Sequence, residues 1–185
     1  IIYIIYIMKI RGLCLYLTGR SGSGKTTIAR DLQNKLKKID NRKITILDGD
    51  EIREHISKGL GFSKQDRSIN VRRIGYIADI ITQHNGLCIC SNIAPYKNDR
   101  IYNKNLIESN DNEYLEIFVK AKLNTLIDRD PKGLYKINNS NIIKSFDEYE
   151  EPENPNIIID TENKNIEKSS NYIINYLKIN SLLIN

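Results

Sequence analysis

Cysteine is scarce in this sequence, and its three cysteines do not form the patterns of disulfide-rich or zinc-binding proteins. Cys14, Cys88 and Cys90 all lie in apolar runs that are typical of strands. Their number is odd, and the spacing of Cys88 and Cys90 puts both thiols on one face of a strand, too close together for an unstrained disulfide. We therefore expect buried free thiols in a reducing compartment, the cytoplasm.

Proline- or glycine-rich linkers, internal repeats and long apolar runs are also missing from the sequence. With 185 residues, of which four are proline, the chain is long enough for one domain with its own core. Residues 1–10 are apolar, but the stretch is too short to span a bilayer and has no signal-peptide pattern, so we predict no membrane association. We expect an N-terminal extension of unknown role over residues 1–10 and a single domain over residues 11–180.

A block of lysine and arginine interleaved with aromatic side chains, the usual mark of nucleic-acid binding, does not occur either. The net charge is nevertheless +5. A positive net charge without such a block favours an anionic small molecule as the binding partner and argues against nucleic acid.

The most informative stretch is Gly19–Thr26, whose sequence GRSGSGKT fits the phosphate-binding pattern GxxxxGK[ST] at every fixed position. The apolar run Leu13–Leu17 precedes it, and apolar residues at helical spacing, Ile28, Leu32 and Leu36, follow it. Glycines allow several backbone amides to point at one polyphosphate, and the positive end of the following helix faces the same anion. A glycine–serine turn that matches by chance is the alternative, and the flanking strand and helix argue against it.

Two side chains of this stretch are predicted to act on the polyphosphate directly. Lys25 can reach the β- and γ-phosphates, and the hydroxyl group of Thr26 can hold Mg²⁺.

Strand-like and helix-like segments alternate along the rest of the chain. Strands are predicted at 43–47, 87–93, 114–119 and 157–159, and helices at about 50–57, 64–84, 99–109, 123–128 and 166–177. This alternation predicts an α/β protein, a three-layer α/β/α fold with a central parallel sheet. Since the carboxyl ends of parallel strands meet at one edge, the phosphate loop, Asp48, Asp50, the stretch 93–96 and Thr161 should line one crevice.

Two pairs of polar residues permit either a surface or a site interpretation. Asp50 and Arg53 would lie one helical turn apart, which suits a site but equally suits a surface N-cap with an ion pair. Arg67 and Asn70 are also one turn apart, and together with Arg72 and Arg73 they are in isolation typical of a solvated face. The residue pattern alone leaves both alternatives open.

Further motifs follow the phosphate loop in a fixed order: LDGDEIR from position 47, SKGLGFS from 57, DRSINVRRIG from 66, IAPY from 93, RDPKGLY from 129 and YEEPENP from 149. Together they resemble adenylylsulfate (APS) kinase over nearly all of residues 11–161. Ala94 is similar to the kinase domains that are fused to ATP sulfurylase, since many stand-alone members have serine there.

The resemblance implies a P-loop kinase fold and a reaction of sulfate activation. The enzyme would transfer the γ-phosphate of ATP to the 3′-hydroxyl of APS and form 3′-phosphoadenylylsulfate (PAPS). Two alternatives remain: a catalytically weak domain that senses APS or PAPS, and another small P-loop nucleotide kinase. Besides APS, the expected partner is a second copy of the chain in a homodimer, with ATP sulfurylase as a further candidate.

The resemblance also implies a role for each matching residue. Lys25 and Asp50 would be catalytic, with Asp50 near the 3′-hydroxyl of APS, and Thr26 would bind the metal of ATP·Mg²⁺. The residues expected to bind ATP are Gly19, Arg20, Ser21, Gly22, Ser23, Gly24, Lys25, Thr26, Thr27, Arg129 and Thr161. Those expected to bind APS are Asp48, Asp50, Arg53, Phe62, Arg67, Asn70, Ile93, Ala94, Lys132 and Phe146, with the adenine between Phe62 and Phe146 and with Lys132 in a lid.

The sequence departs from the family pattern on the lid and APS side. After Phe146 the family usually has TGIDDPYE, whereas DEYE follows here, so the lid is shorter. The KARAG segment of the family corresponds to Ile137–Asn141, which loses an arginine, and its PYR corresponds to Pro95–Lys97. We expect weaker binding of APS than in relatives with a full lid, and unaltered binding of ATP.

Overall fold

The predicted alternation of strands and helices is confirmed by a computed structural model, which describes residues 11–130, 148–162 and 165–184. Residues 1–10 lie outside this part, so the expectation for them stays a prediction. The strands are β1 (Leu13–Thr18), β2 (Ile44–Asp48), β3 (Leu87–Ser91), β4 (Glu113–Lys120) and β5 (Ile157–Asp160). The helices are α1 (Lys25–Leu36), α2 (Gly49–His55), α3 (Lys64–Gln83), α4 (Lys97–Glu108), α5 (Leu123–Arg129) and α6 (Ile166–Ile179).

The sheet has the strand order β2-β3-β1-β4-β5, and every neighbouring pair is parallel. Strand β1 is central, with Leu17 in register with Ser91 of β3 on one side and with Ile117 of β4 on the other. Because the strands are parallel, the segments that follow all five of them leave the sheet at the same edge.

Helices cover both faces of the sheet, which explains why β1 is buried at every position. Leu13, Leu15 and Leu17 belong to the core cluster that contains residues of α1 and α6. Cys14 and Tyr16 belong to a second cluster with residues of α3 and α4. Since successive side chains of a strand point to opposite faces, a strand covered on both sides has no solvent-facing position.

The three cysteines are buried and free, as predicted. The Sγ atom of Cys90 lies 3.9 Å from that of Cys14 and 3.7 Å from that of Cys88. Burial raises the pKa of Cys14 and of Cys90 well above the ordinary thiol value. These two thiols therefore serve as small apolar core residues.

A buried ion pair joins the segment before β2 to the end of the chain. Arg42 Nη2 lies 2.6 Å from Asp40 Oδ2 and also donates to the carbonyl of Leu182 at 2.7 Å. The backbone amide of Ile184 donates to the same carboxylate at 3.2 Å. Burial by itself raises the pKa of Asp40, but the hydrogen bonds and the charge of Arg42 outweigh it and hold that pKa below its ordinary value.

Replacing Asp40 by asparagine should lower the free energy of unfolding by about 3 kcal/mol near neutral pH, because it leaves Arg42 buried without its counter-ion. The pKa of Asp40 is lower in the folded than in the unfolded state. The contribution of ionised Asp40 to the stability of the folded protein is therefore complete above the unfolded-state pKa of about 3.9. It is lost as the pH falls through the folded-state pKa. Urea unfolding of wild type and Asp40→Asn over this pH range measures the difference.

The control for this experiment is Glu113→Gln, which removes the exposed pair between Glu113 and Arg11. It should cost less than about 1 kcal/mol at any pH, as is usual for surface pairs. A difference between wild type and Asp40→Asn that does not shrink toward acid pH would contradict the assignment.

Candidate active site

The loop between β1 and α1 has the backbone shape that anion binding requires. Gly22 and Gly24 have φ angles of 77° and 97°, in the left-handed region that glycine adopts without steric cost. Gly24 is the N-cap of α1, and the amide of Ile28 donates to its carbonyl at 3.0 Å. Helix α1 thus begins at Lys25, inside the motif, and its positive end faces the loop.

The ammonium group of Lys25 is enclosed by this loop. Its Nζ atom donates to the carbonyls of Gly19 at 2.8 Å and of Arg20 at 2.9 Å, and it lies 3.4 Å from Ser23 Oγ. Lys25 is only 8% exposed. The lysine therefore holds a positive charge at the point where the loop can receive an anion.

Three oxygen-bearing side chains meet beside the start of α1. Thr26 Oγ1 donates to Asp48 Oδ2 at 2.8 Å and lies 3.2 Å from Ser91 Oγ. Carboxylate and hydroxyl oxygens are the hard ligands that Mg²⁺ prefers, so this donor set fits the ion. No group of three or more His, Cys, Asp or Glu side chains suited to a metal occurs in the described part of the chain. A metal here would thus rely on these oxygens together with those of a phosphate.

Sequence reasoning missed Ser91, which was included in an apolar run predicted to continue as a strand to Ile93. Strand β3 ends at Ser91. The side chain of Ser91 is buried and contacts Thr26, which follows the phosphate-binding glycines. The available signal was a hydroxyl at the carboxyl end of a buried strand next to β1.

Asp48 occupies a different environment from its neighbour Asp50. Asp48 is buried and caps α2 by accepting from the amide of Asp50 at 3.0 Å. Asp50 lies in the first turn of α2 and is exposed. The cap predicted at Asp50 is therefore wrong, because Asp48 is the cap, whereas the surface position of Asp50 is confirmed.

Arg53 of α2 and Phe62, in the segment before α3, form a stacked pair. Arg53 Nη1 donates to the carbonyl of Gly61 at 2.7 Å, and its guanidinium carbon lies 4.8 Å from the ring centroid of Phe62. Phe62 itself is 69% exposed. An exposed aromatic ring that is held in place from one side offers its other face to a planar base.

Arg67 and Asn70 lie one turn apart in the first half of α3, which begins after the predicted N-cap Ser63. The side chain of Arg67 is only 13% exposed. Asn70 is buried, and its Oδ1 atom has no hydrogen-bond partner among the described residues. The solvated-face interpretation is therefore wrong for Arg67 and Asn70, since both side chains are largely withdrawn from solvent. It is confirmed for Arg72 and Arg73, which are exposed.

Arg53 and Arg67 are close enough to affect each other. The pKa of Arg53 is lower than its ordinary value, first because of burial, and the positive charge of Arg67 lowers it further, while Asp50 opposes both effects. Two guanidinium groups within electrostatic range of each other supply positive charge that suits a phosphate or sulfate group.

The turn after β3 is fixed against the phosphate loop. The carbonyl of Ile93 accepts from Thr18 Oγ1 at 2.6 Å and from the amide of Gly19 at 3.5 Å. Ala94 has a φ of 44°, and its carbonyl accepts from Arg100 Nη1 at 2.7 Å. The structure thus brings Ile93 and Ala94 to the site, with both carbonyl oxygens already bonded within the protein.

Arg129 and Thr161, predicted together on the ATP side, do contact each other. Arg129 donates to the hydroxyl of Thr161 at 3.0 Å and to its carbonyl at 2.8 Å. A β-carbon placed on Gly24 would lie 4.0 Å from Thr161 Cγ2, so the pair lies beside the phosphate loop. Lys132 and Phe146 lie outside the described residues.

A segment without a predicted role, 148–151, forms part of the wall of the site. The hydroxyl of Tyr149 lies 3.1 Å from Thr18 Oγ1, and its ring stacks on Phe118 at 6.1 Å between centroids. Burial raises the pKa of Tyr149 to about 12. Glu151 pairs with Arg20 of the phosphate loop at 3.1 Å. The acidic residues that flank Tyr149 gave no indication in the sequence that its side chain is buried.

Comparison with known proteins relates this site to one family. The profile of the adenylylsulphate kinase family matches residues 11–160. A probable adenylyl-sulfate kinase of Aeropyrum pernix is 40% identical over 172 residues, which cover 91% of this chain and 93% of that protein.

Solved structures agree with this relation. The APS kinase of Mycobacterium tuberculosis in complex with AMPPNP and APS has a TM-score of 0.82 at 30% identity, covering 91% of this chain and 98% of that one. The hexameric APS kinase from Thiobacillus denitrificans has a TM-score of 0.75 at 36% identity, covering 94% of this chain and 30% of that one.

The parallel sheet and the phosphate loop define a P-loop kinase fold. Within that class, the chain belongs to the adenylylsulphate kinase family, as its motifs predicted. None of the described helices combines the length and the hydropathy that crossing a membrane requires.

Proposed function

We propose that this chain is an ATP-dependent adenylylsulfate kinase that converts ATP and APS into ADP and PAPS. The observation that carries the proposal is the enclosed Lys25 in an intact phosphate loop, in a chain of this family. Phosphoryl transfer needs little covalent chemistry from the protein, so positioning and charge decide the rate.

On the ATP side, the loop amides and Lys25 bind the phosphates and stabilise the charge that builds up on the transferring group. Thr26 and Asp48, with Ser91 beside them, would hold Mg²⁺, because their oxygens lie together beside the start of α1. This assigns Asp48 to the metal, whereas the resemblance implied that it binds APS. When bound, the ion supplies positive charge to the β- and γ-phosphate oxygens. Arg129 and Thr161 lie next to the loop and contact the adenosine part of ATP.

On the APS side, Arg53, Arg67 and Asn70 bind the phosphosulfate and ribose. The exposed ring of Phe62 stacks on the adenine, and the turn at Ile93 and Ala94 borders the nucleotide. Asp50, exposed in the first turn of α2, orients the acceptor hydroxyl by accepting its hydrogen bond.

Some expectations concern residues or partners for which the described part of the chain gives no contacts. Lys132 in the lid and Phe146 against the APS adenine stay predictions. The same holds for the homodimer, for association with ATP sulfurylase and for a place in the cytoplasm.

The experiment that tests the function is an ADP-release assay with APS and a panel of other acceptor nucleotides. We expect turnover with APS and at most traces with nucleoside monophosphates, because the paired arginines suit the phosphosulfate group. Turnover with a different acceptor would favour another small P-loop kinase. Tight binding of APS or PAPS without ADP release would favour the sensing domain.

Lys25→Ala should lower kcat by about a hundredfold or more, because charge stabilisation of the transition state is lost. Lys38→Ala, which removes an exposed lysine beyond the end of α1, is the control and should keep the wild-type rate. Thermal unfolding should show both variants to be folded. Retention of more than about a tenth of the activity by Lys25→Ala, a loss of only about 1.4 kcal/mol, would exclude the assigned role.

Arg67→Ala should raise the KM for APS by about tenfold to a hundredfold, since a charge-assisted hydrogen bond is worth about 1.5–3 kcal/mol. The KM for ATP should stay close to the wild-type value. Arg73→Ala is the matched control on the same helix, because Arg73 bonds to the carbonyl of Ile56 at 3.0 Å. Equal losses of affinity for ATP and APS would place Arg67 outside the acceptor pocket.

A further inference from the structure

Glu148 is a carboxylate on the acceptor side to which the proposed reaction assigns no role. Its Oε2 atom accepts from the hydroxyl of Tyr96 at 2.6 Å and lies 3.9 Å from Arg67 Nη1. The side chain of Glu148 is 46% exposed, whereas that of Arg67 is only 13% exposed. The carboxylate is thus the more exposed member of the pair and lies within ion-pair distance of the largely buried Arg67.

The position of this carboxylate is fixed from both ends. Tyr96, which donates to it, is buried, and burial followed by the Glu148 hydrogen bond raises the pKa of Tyr96 to about 12, so the phenol remains a neutral donor. On the backbone side, the amide of Glu150 donates to the carbonyl of Pro95 at 2.9 Å. Tyr149 between them is buried against Thr18 and Phe118. Glu148 is therefore an ordered negative charge.

We propose that Glu148 is an internal competitor for the anionic group of APS at Arg67, and that it lowers the apparent affinity for this substrate. The inference rests on the proposed function, in particular on Arg67 as an APS ligand. A phosphosulfate that reaches Arg67 must displace the carboxylate or share the guanidinium with it. In both cases the negative charge of Glu148 weakens the binding of a substrate of the same sign.

The size of the effect follows from the geometry. A pair at 3.9 Å with a half-exposed carboxylate is screened by solvent, so the competition is modest. We expect it to change the KM for APS by about twofold to fivefold, which is the range of exposed ion pairs. The competition does not reach ATP, because the contacts of Glu148 are with Tyr96 and Arg67.

A second role for Glu148 is possible on geometric grounds, namely that it only anchors the Tyr96 hydroxyl. Glutamine separates the two roles, because its carbonyl oxygen still accepts the phenol hydrogen bond while its charge is zero. Alanine removes both the charge and the hydrogen bond.

The test measures kcat and the KM for APS and for ATP in Glu148→Gln, Glu148→Ala and wild type. For Glu148→Gln we expect the KM for APS to fall about twofold to fivefold at constant KM for ATP. The matched control is Glu153→Gln, which removes an exposed carboxylate on the same segment whose partner is Lys97 at 2.8 Å. It should leave all constants unchanged. An unchanged or increased KM for APS in Glu148→Gln overturns the inference. If the KM for APS then rises in Glu148→Ala alone, Glu148 only anchors the Tyr96 hydroxyl.

A double-mutant cycle with Arg67→Ala tests whether Glu148 acts through Arg67. If it does, Glu148→Gln improves APS binding in the wild-type background and has no effect once Arg67 is replaced. The same gain in both backgrounds overturns the inference. If Arg67→Ala raises the KM for APS while Glu148→Gln is inert, only the inference fails and the proposed function stands. If Arg67→Ala does not affect APS at all, the acceptor site itself is misassigned.

Discussion

The central position of β1 in a parallel sheet is the constraint on which the site depends. β1 has a neighbour on each side, and helices cover both of its faces, so its carboxyl end cannot move without disturbing the core. The phosphate loop leaves from that end. The hydrogen bonds of Thr18 to Ile93 and of Thr26 to Asp48 then join the loop to the ends of β3 and β2. Preorganisation of the loop is thus a property of the sheet, and the glycines only make the turn possible.

Much of this arrangement could be predicted from the sequence, and the reasons are local. Apolar runs bounded by polar residues mark the strands, and the motif at Gly19–Thr26 determines its own backbone shape. The observed elements differ from the predicted ones mainly at their ends: α4 begins at Lys97 instead of about Asp99, and β3 ends at Ser91 instead of Ile93. These ends depend on caps and on contacts with other segments, which hydropathy does not encode.

The details of the site that escaped prediction all depend on contacts between segments distant in the sequence. Sixty-five positions separate Thr26 from Ser91, and 131 positions separate Thr18 from Tyr149. No local pattern reports such pairs. The same limit applies to Arg67 and Asn70. Their sequence pattern is equally typical of a solvated face, and only the packing of α3 shows that both side chains are largely buried.

The turn after β3 and the segment that carries Tyr149 are held together by the buried cation Arg100. Arg100 pairs with Glu116 at 2.8 Å and donates to the carbonyls of Ala94 and Glu150, both at 2.7 Å. Each charge-assisted bond of this kind is worth about 1.5–3 kcal/mol, enough to offset the cost of burying the guanidinium.

These bonds join β4, the turn after β3 and the segment that carries Tyr149 into one wall, which also supports the phosphate loop through Thr18. Of the positions at which this chain departs from its family, the described ones, Lys97 and Glu148, take no part in the bonds of Arg100. The wall therefore allows these two side chains to differ from the family pattern while the geometry of the phosphate loop is preserved. Changes on this face and the geometry of the phosphate loop are for this reason separable properties of the same fold.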